Sequence, residues 1–247
     1  MTTATTSHVP LIVRAELAGG IAQAAPWGIA LDGLLAAALW ADHKAAIRAA
    51  GAFTDTLADT LEPEDLPLPL ARCTTPDGAW HWAATCAAPQ GRPATLPEVR
   101  TWSGRVDHRA VGQLSATLPA TVSDRQGRYR ARRMPLLVTT CSAVTWHAVG
   151  DPDAIETLLG TITAIGKKRA HGEGHVLAWT ITPTPQLDPW AAAHLHPDGT
   201  LGRPTPAACL AGHPPVPDGG YGTAGIRPPY MHPARQQTLH LPALLDA

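Results

Sequence analysis

Phenylalanine is almost missing from this chain: one in 247 residues, beside three tyrosines and three methionines. Large aromatic volume must come from the eight tryptophans, with alanine carrying much of the remaining apolar fraction of 45%. Net positive charge is missing as well. Nineteen basic residues against twenty acidic ones leave −1, so any surface for a polyanion requires local segregation of charge. The four cysteines (Cys73, Cys86, Cys141 and Cys209) have no CxxC spacing and no secretory context, and read as free cytosolic thiols. The opening MTTATTSHVP has neither a basic nor an apolar leader region. The longest apolar run, Gly28 to Ala41, has 14 residues and contains Asp32, too short to span a bilayer. A cytoplasmic protein without membrane contact is expected.

Two site signatures are also absent. A phosphate loop needs GxxxxGK[ST] running from strand to helix. Here Gly160 to Gly166 is one residue too long, Lys168 replaces the hydroxyl residue, and the order is helix to strand. HGEGH at 171–175 misplaces the glutamate of a zinc-protease HExxH, and its two glycines disfavour the helix that would align both histidines. His194 and His196 lack companion ligands at metal spacing. No metal and no cofactor are expected.

What is present centres on residues 151–182. Asp151 followed by Pro152 starts a helix, because the carboxylate can accept from first-turn amides and proline's φ suits the first helical position. Ile155, Leu158, Leu159, Ile162 and Ile165 recur at steps of three and four, one apolar helix face closed by Gly166. Lys167, Lys168 and Arg169 then sit where cations favour a helix C-terminus. Gly172 and Gly174 lead into a strand whose Leu177, Trp179 and Ile181 share a face. Glycines permit close backbone approach, and exposed amides beside three cations suit phosphate.

Upstream, Leu11, Val13, Ala15 and Leu17 alternate as a half-buried strand. Leu31 to Ala41 forms a helix continued by an alanine-rich pattern to residue 62. Ala79–Cys86 and Leu136–Val149 read as strands. The order β-α-β-β-α-β predicts an α+β, ferredoxin-like (RRM-like) fold: an antiparallel sheet with two helices. Between the middle strands, eight arginines (Arg100, Arg105, Arg109, Arg125, Arg128, Arg130, Arg132 and Arg133) face two acids, a local balance of +6. RYRARR places alternate arginines on one strand face, and DRQG before it suits a hairpin turn. With Trp102 and Tyr129 for stacking, a basic hairpin arm over about 98–136 would clamp RNA or another single strand, and a solvated arginine-rich loop making surface salt bridges is the other reading. After Pro183 the chain is Pro/Gly-rich. Arg227 and Tyr230 in YGTAGIRPPYMHPARQQ could meet a backbone or a base, and proline-set loops covering a sheet edge are the other reading.

With these residues assembled, the chain resembles the RAMP superfamily of CRISPR-associated proteins. The resemblance rests on the ferredoxin-like order, the glycine-rich loop IGKKRAHGEG and the basic insertion between the middle strands. The motifs IALDGLLAAALW, GKKRAHGEGHVLAW and IRPPYMHPARQ narrow it, and the match covers about residues 8–182 plus 221–237. More narrowly, it is similar to the type IV CRISPR effector subunit that binds the guide RNA 5′ handle. That resemblance implies a RAMP domain at 8–182, an inserted thumb, and a C-terminal extension at 183–247 packing on the core. It also implies guide RNA and backbone RAMP subunits as partners, and leaves open a small helical subunit and target DNA. Carried over residue by residue, the handle-binding loop is Gly166, Lys167, Lys168, Arg169, Gly172 and Gly174. His171 lies within it.

Two function classes follow. A non-catalytic RNA-binding subunit neutralises phosphates and stacks bases. A metal-independent endoribonuclease would need a general base, with His147, His171, Lys168 and Tyr129 as candidates. These are scattered in sequence, so no catalytic residue is assigned.

Overall fold

The computed structural model describes residues 8–23, 25–51, 63–91, 97–104, 107–113 and 130–243, with positions 116, 123, 125 and 126. Its elements run β1 (Val9–Leu17), α1 (Leu31–Ala49), β2 (Arg72–Thr74), β3 (Trp80–Trp82), β4 (Ala88–Gln90), β5 (Glu98–Gly104) and α2 (His108–Gln113). There follow β6 (Arg132–Val138), β7 (Ala143–Gly150), α3 (Pro152–Leu159), β8 (Val176–Pro183), α4 (Pro189–His194), α5 (Ala207–Leu210), β9 (Tyr221–Gly225) and β10 (Gln236–His240). It is a mixed α and β chain built on an antiparallel sheet in the order β4-β7-β1-β8.

The period-2 pattern of β1 works as expected. Leu11, Val13, Ala15 and Leu17 all point into the main core, opposite Trp146 and Ala148 of β7. Leu31, Leu34 and Leu35 of α1 and Ile155 and Leu159 of α3 cover that face. The scarcity of Phe has a structural consequence: tryptophan fills the core, and each indole N–H needs an acceptor. Trp146 donates to the Ile29 carbonyl at 2.8 Å and Trp179 to the Ile162 carbonyl at 2.9 Å. The opposite sheet face, carrying His147 and Val149, is covered by α4, with Ala192 and Ala193 against Val149.

Five expectations are corrected. Helix α3 ends at Leu159, not Ile165, because Gly160 and the β-branched run Thr161–Ile162–Thr163 abandon it. Ala164 then bridges His175, so the cations at 167–169 belong to a turn and do not cap a helix. In β8, a register shift at Glu16/Leu17 turns Leu177 out to solvent and leaves Val176, Trp179 and Ile181 facing inward. Of the strand placed at 79–86, Trp80–Trp82 is strand and pairs with β2, while the strand beside β7 lies just beyond it, at Ala88–Gln90. The strand placed at 136–149 is likewise two, β6 in the arm and β7 in the sheet. The arm's base is an antiparallel ladder of β5 and β6. Asp151 caps α3 as expected, accepting from the amides of Asp153 at 3.1 Å and Ala154 at 3.3 Å. The helix expected to continue to residue 62 ends at Ala49, with Ala50 and Gly51 (φ 69°) in a turn, and residues 52–62 lie outside the described residues. No helix among the described residues is long and apolar enough to cross a membrane.

Buried cations tie in the C-terminal segment, Arg203 most extensively. Arg203, 1% exposed, donates to the carbonyls of Trp82, Ala84 (2.7 Å) and Ile226 (3.0 Å). Its guanidinium lies 3.8 Å from the Asp32 carboxylate at the start of α1. Asp32 also accepts from the Tyr230 hydroxyl at 2.5 Å. Burial pushes the Asp32 carboxyl up, against the pull of Arg203. Arg203→Met removes the guanidinium and strands Asp32 in the core. Urea unfolding should show a loss of about 3–5 kcal/mol, part of it recovered when Asp32→Asn is added.

Candidate nucleic-acid interface

The turn after α3 is held open by backbone conformations that few residues tolerate. Gly166 has φ +87°, Lys168 φ 59° and Gly174 φ +64°. A Cβ on Gly174 would lie 1.9 Å from the Ile165 carbonyl oxygen, because Ile165 N–H donates to the Gly174 carbonyl across a tight pinch. Lys167 N–H donates to the Ala22 carbonyl at 2.7 Å, which anchors the turn to the loop after β1. A short 3₁₀ turn, Arg169–His171, follows. Lys167, Arg169 and His171 are exposed, and Lys168 is half-buried.

The arm comes to this turn. The Lys168 ammonium lies 3.2 Å from the centroid of the Trp102 ring, and Trp102 Nε1 donates to His171 Nε2 at 2.8 Å. Ladder register puts Trp102 opposite Met134 and Gly104 opposite Arg132, so Arg132 shares the Trp102 face of the hairpin. Arg109, Arg125, Arg130, Arg132 and Arg133 are exposed. Among the described residues, no carboxylate forms an ion pair with Lys167, Lys168 or Arg169.

Not every expected contact residue joins this group. Arg100 is beside it but engaged: it bonds Glu98 at 2.9 Å, Glu173 at 2.8 Å and the Gly19 carbonyl at 3.2 Å. The hydrogen bond to Glu98, more than the charge of Glu173, raises its pKa further. It pins the arm to the turn. Arg227 pairs with Asp65 at 2.9 Å and lies over Trp80, and the Tyr230 hydroxyl is committed to Asp32. Both serve the C-terminal packing. Arg105, Arg128 and Tyr129 lie outside the described residues. Of the candidate bases, His147 gives Nδ1 to the Leu195 carbonyl at 3.0 Å and makes no described contact with His171 or Lys168.

A second group was not anticipated. His194 does have companions: Cys73, His81 and Cys209 stand around it with their potential ligand atoms all within 4.8 Å of one another. All four cysteines are free, and two of them, Cys73 and Cys209, meet in this group. Sequence spacing hid the group because two members sit on a hairpin and two in the C-terminal segment. The register of the hairpin around TPDG, which sets Cys73 opposite His81, was the available signal.

The pinch at Gly174 separates two substitutions. Gly174→Ala meets a backbone oxygen and should cost more than about 2 kcal/mol in thermal or urea unfolding. Gly172→Ala, at φ +88° with open space around its Cβ, should cost only about 1 kcal/mol.

Compared with known proteins, the chain has no match among curated sequences. A family model described as CRISPR type IV associated protein Csf3 matches residues 9–238, nearly the whole chain. Basic turn, arm and sheet therefore lie within one matched span, and the chain belongs to the Csf3 family, a component of type IV CRISPR systems.

Proposed function

We propose that this chain is the non-catalytic RNA-binding subunit of a type IV CRISPR ribonucleoprotein, holding the 5′ handle of the guide RNA in the cytoplasm and capping the filament of backbone subunits. In this reading it is a RAMP protein of ferredoxin-like fold. The sheet order β4-β7-β1-β8, with α1 and α3 on one face, follows the split βαβ arrangement and supports it. The RAMP domain spans residues 8–182, the inserted arm at about 98–136 is the thumb, and residues 183–247 form the extension.

The observation that carries the proposal is the meeting of two basic elements at Trp102. Lys168 and His171 come from the turn, Trp102 and Arg132 from the arm. Cations beside an indole are what a single strand needs: charge for phosphates, a flat apolar surface for a base. The positive-φ turn adds backbone amides at close approach. Trp102 would then exchange the Lys168 ammonium for a base while the lysine moves to phosphate. The arm's partly apolar surface, with Val99, Met134 and Leu137 exposed, suits a neighbouring backbone subunit.

The test is a salt titration of a 5′-handle RNA against the wild type and the triple variant Lys167→Ala/Lys168→Ala/Arg169→Ala. The variant should bind more weakly and with a shallower salt dependence, the slope falling by up to about 2 for three lost phosphate contacts on a single strand. Identical affinity and slope would remove the turn from the interface. Incubation with repeat RNA in EDTA should leave the RNA intact, and a site-specific cut abolished by His171→Ala would replace this reading with catalysis.

A further inference from the structure

The Cys/His group is built as a ligand site. Cys73 on β2 and His81 on β3 are cross-strand partners, and the turn between them is tied by the Thr75 N–H to the Ala79 carbonyl at 2.7 Å. His194 ends α4 and Cys209 lies in α5. His81, His194 and Cys209 are buried, and Cys73 is half-buried.

Tautomers are set by the surroundings. His81 Nδ1 lies 3.0 Å from the Trp82 carbonyl and His194 Nδ1 lies 2.8 Å from the Trp190 carbonyl. A carbonyl oxygen can only accept, so each Nδ1 carries the proton and each Nε2 presents a lone pair. Metal-bound histidines are commonly oriented by this backbone contact. His194 Nε2 is buried in a residue 1% exposed and has no hydrogen-bond partner among the described residues. An orphaned acceptor at that depth is costly unless something fills its lone pair.

The spacing fits one coordination geometry. Tetrahedral zinc with bonds of about 2.3 Å to sulfur and about 2.0–2.1 Å to nitrogen requires about 3.8 Å between sulfurs and about 3.5 Å from sulfur to nitrogen. Cys73 Sγ and Cys209 Sγ are 3.7 Å apart, and Cys209 Sγ is 3.4 Å from His81 Nε2. A disulfide would need sulfurs about 2.05 Å apart. The walls are rigid: Trp190 stacks on His194 with centroids 4.9 Å apart and donates to the Cys209 carbonyl at 3.1 Å, and His213 stacks on Trp190 at 3.7 Å.

We propose that Cys73, His81, His194 and Cys209 form a closed tetrahedral zinc site that clamps the C-terminal segment onto the β2–β3 hairpin. Two thiolates and two neutral imidazoles select zinc over hard cations, and four protein ligands leave no position for substrate. Its role is structural. The site joins parts of the chain more than a hundred residues apart, so its loss loosens α4 and α5 against the hairpin, while Arg203 still holds the segment between them and the sheet stays in place.

The experiment uses the full chain without a polyhistidine tag, purified without chelator, and elemental analysis. About one zinc per chain is expected in the wild type and in His43→Ala, an exposed histidine outside the group, and little in Cys209→Ser or His194→Gln. Chelator-stripped wild type given cobalt(II) should develop the intense visible bands of a tetrahedral site with thiolate charge transfer in the near ultraviolet. Its thermal midpoint should rise with added zinc. Wild type that holds no stoichiometric zinc and gives only an octahedral cobalt spectrum would overturn the proposal, as would a Cys73–Cys209 disulfide found by mass spectrometry in metal-free native protein. None of these readouts involves RNA.

Discussion

A guanidinium with almost no exposure to water sets the terms for this molecule. Arg203 cannot lose its charge, so every donor it buries must find an acceptor. It finds them on the backbone around β3 and after β9, with Asp32 at the head of α1 as counter-charge. Those partners come from the first helix, the middle hairpin and the C-terminal segment. Three stretches with little local reason to meet are thereby held in one arrangement. Tyr230 completes it by donating to Asp32, and burial, aided by that carboxylate, raises the pKa of its hydroxyl so that it stays protonated.

This constraint divides the surface into two regions of different chemistry. On one, a glycine-set turn and a hairpin bring cations to an indole, an arrangement with exposed charge. On the other, sulfur and imidazole are buried among stacked rings and backbone carbonyls. Arg227 and Arg235 both reach Asp65, so charge near the C-terminal hairpin is consumed internally. Among the described residues Lys167, Lys168 and Arg169 form no such pair, so a chain of net charge −1 keeps cations at this turn, although Arg100 beside them is engaged by Glu98 and Glu173.

Much of the sheet was legible. The alternation in β1, the Asp151–Pro152 helix start and the strand after Gly174 all rest on local periodicity and capping, which survive into the fold. Boundaries were less so. The apolar spacing of Ile162 and Ile165 continues the helical period past Leu159, yet Gly160 and β-branched neighbours end the helix, and both isoleucines still reach the core from outside it. Leu177 shows the same limit: a single bulge reverses which residues face inward, and period 2 cannot announce it.

By itself, then, the sequence determined the antiparallel β-α-β core and the local excess of positive charge, because both are written in short-range spacing and composition. Tertiary structure alone decided that Lys168 stands on Trp102, that Arg203 and Tyr230 meet Asp32, and that Cys73, His81, His194 and Cys209 surround one point. Such meetings depend on loop paths and ladder registers across more than sixty residues. No periodicity encodes them, since each is the outcome of satisfying buried polar groups throughout the chain at once.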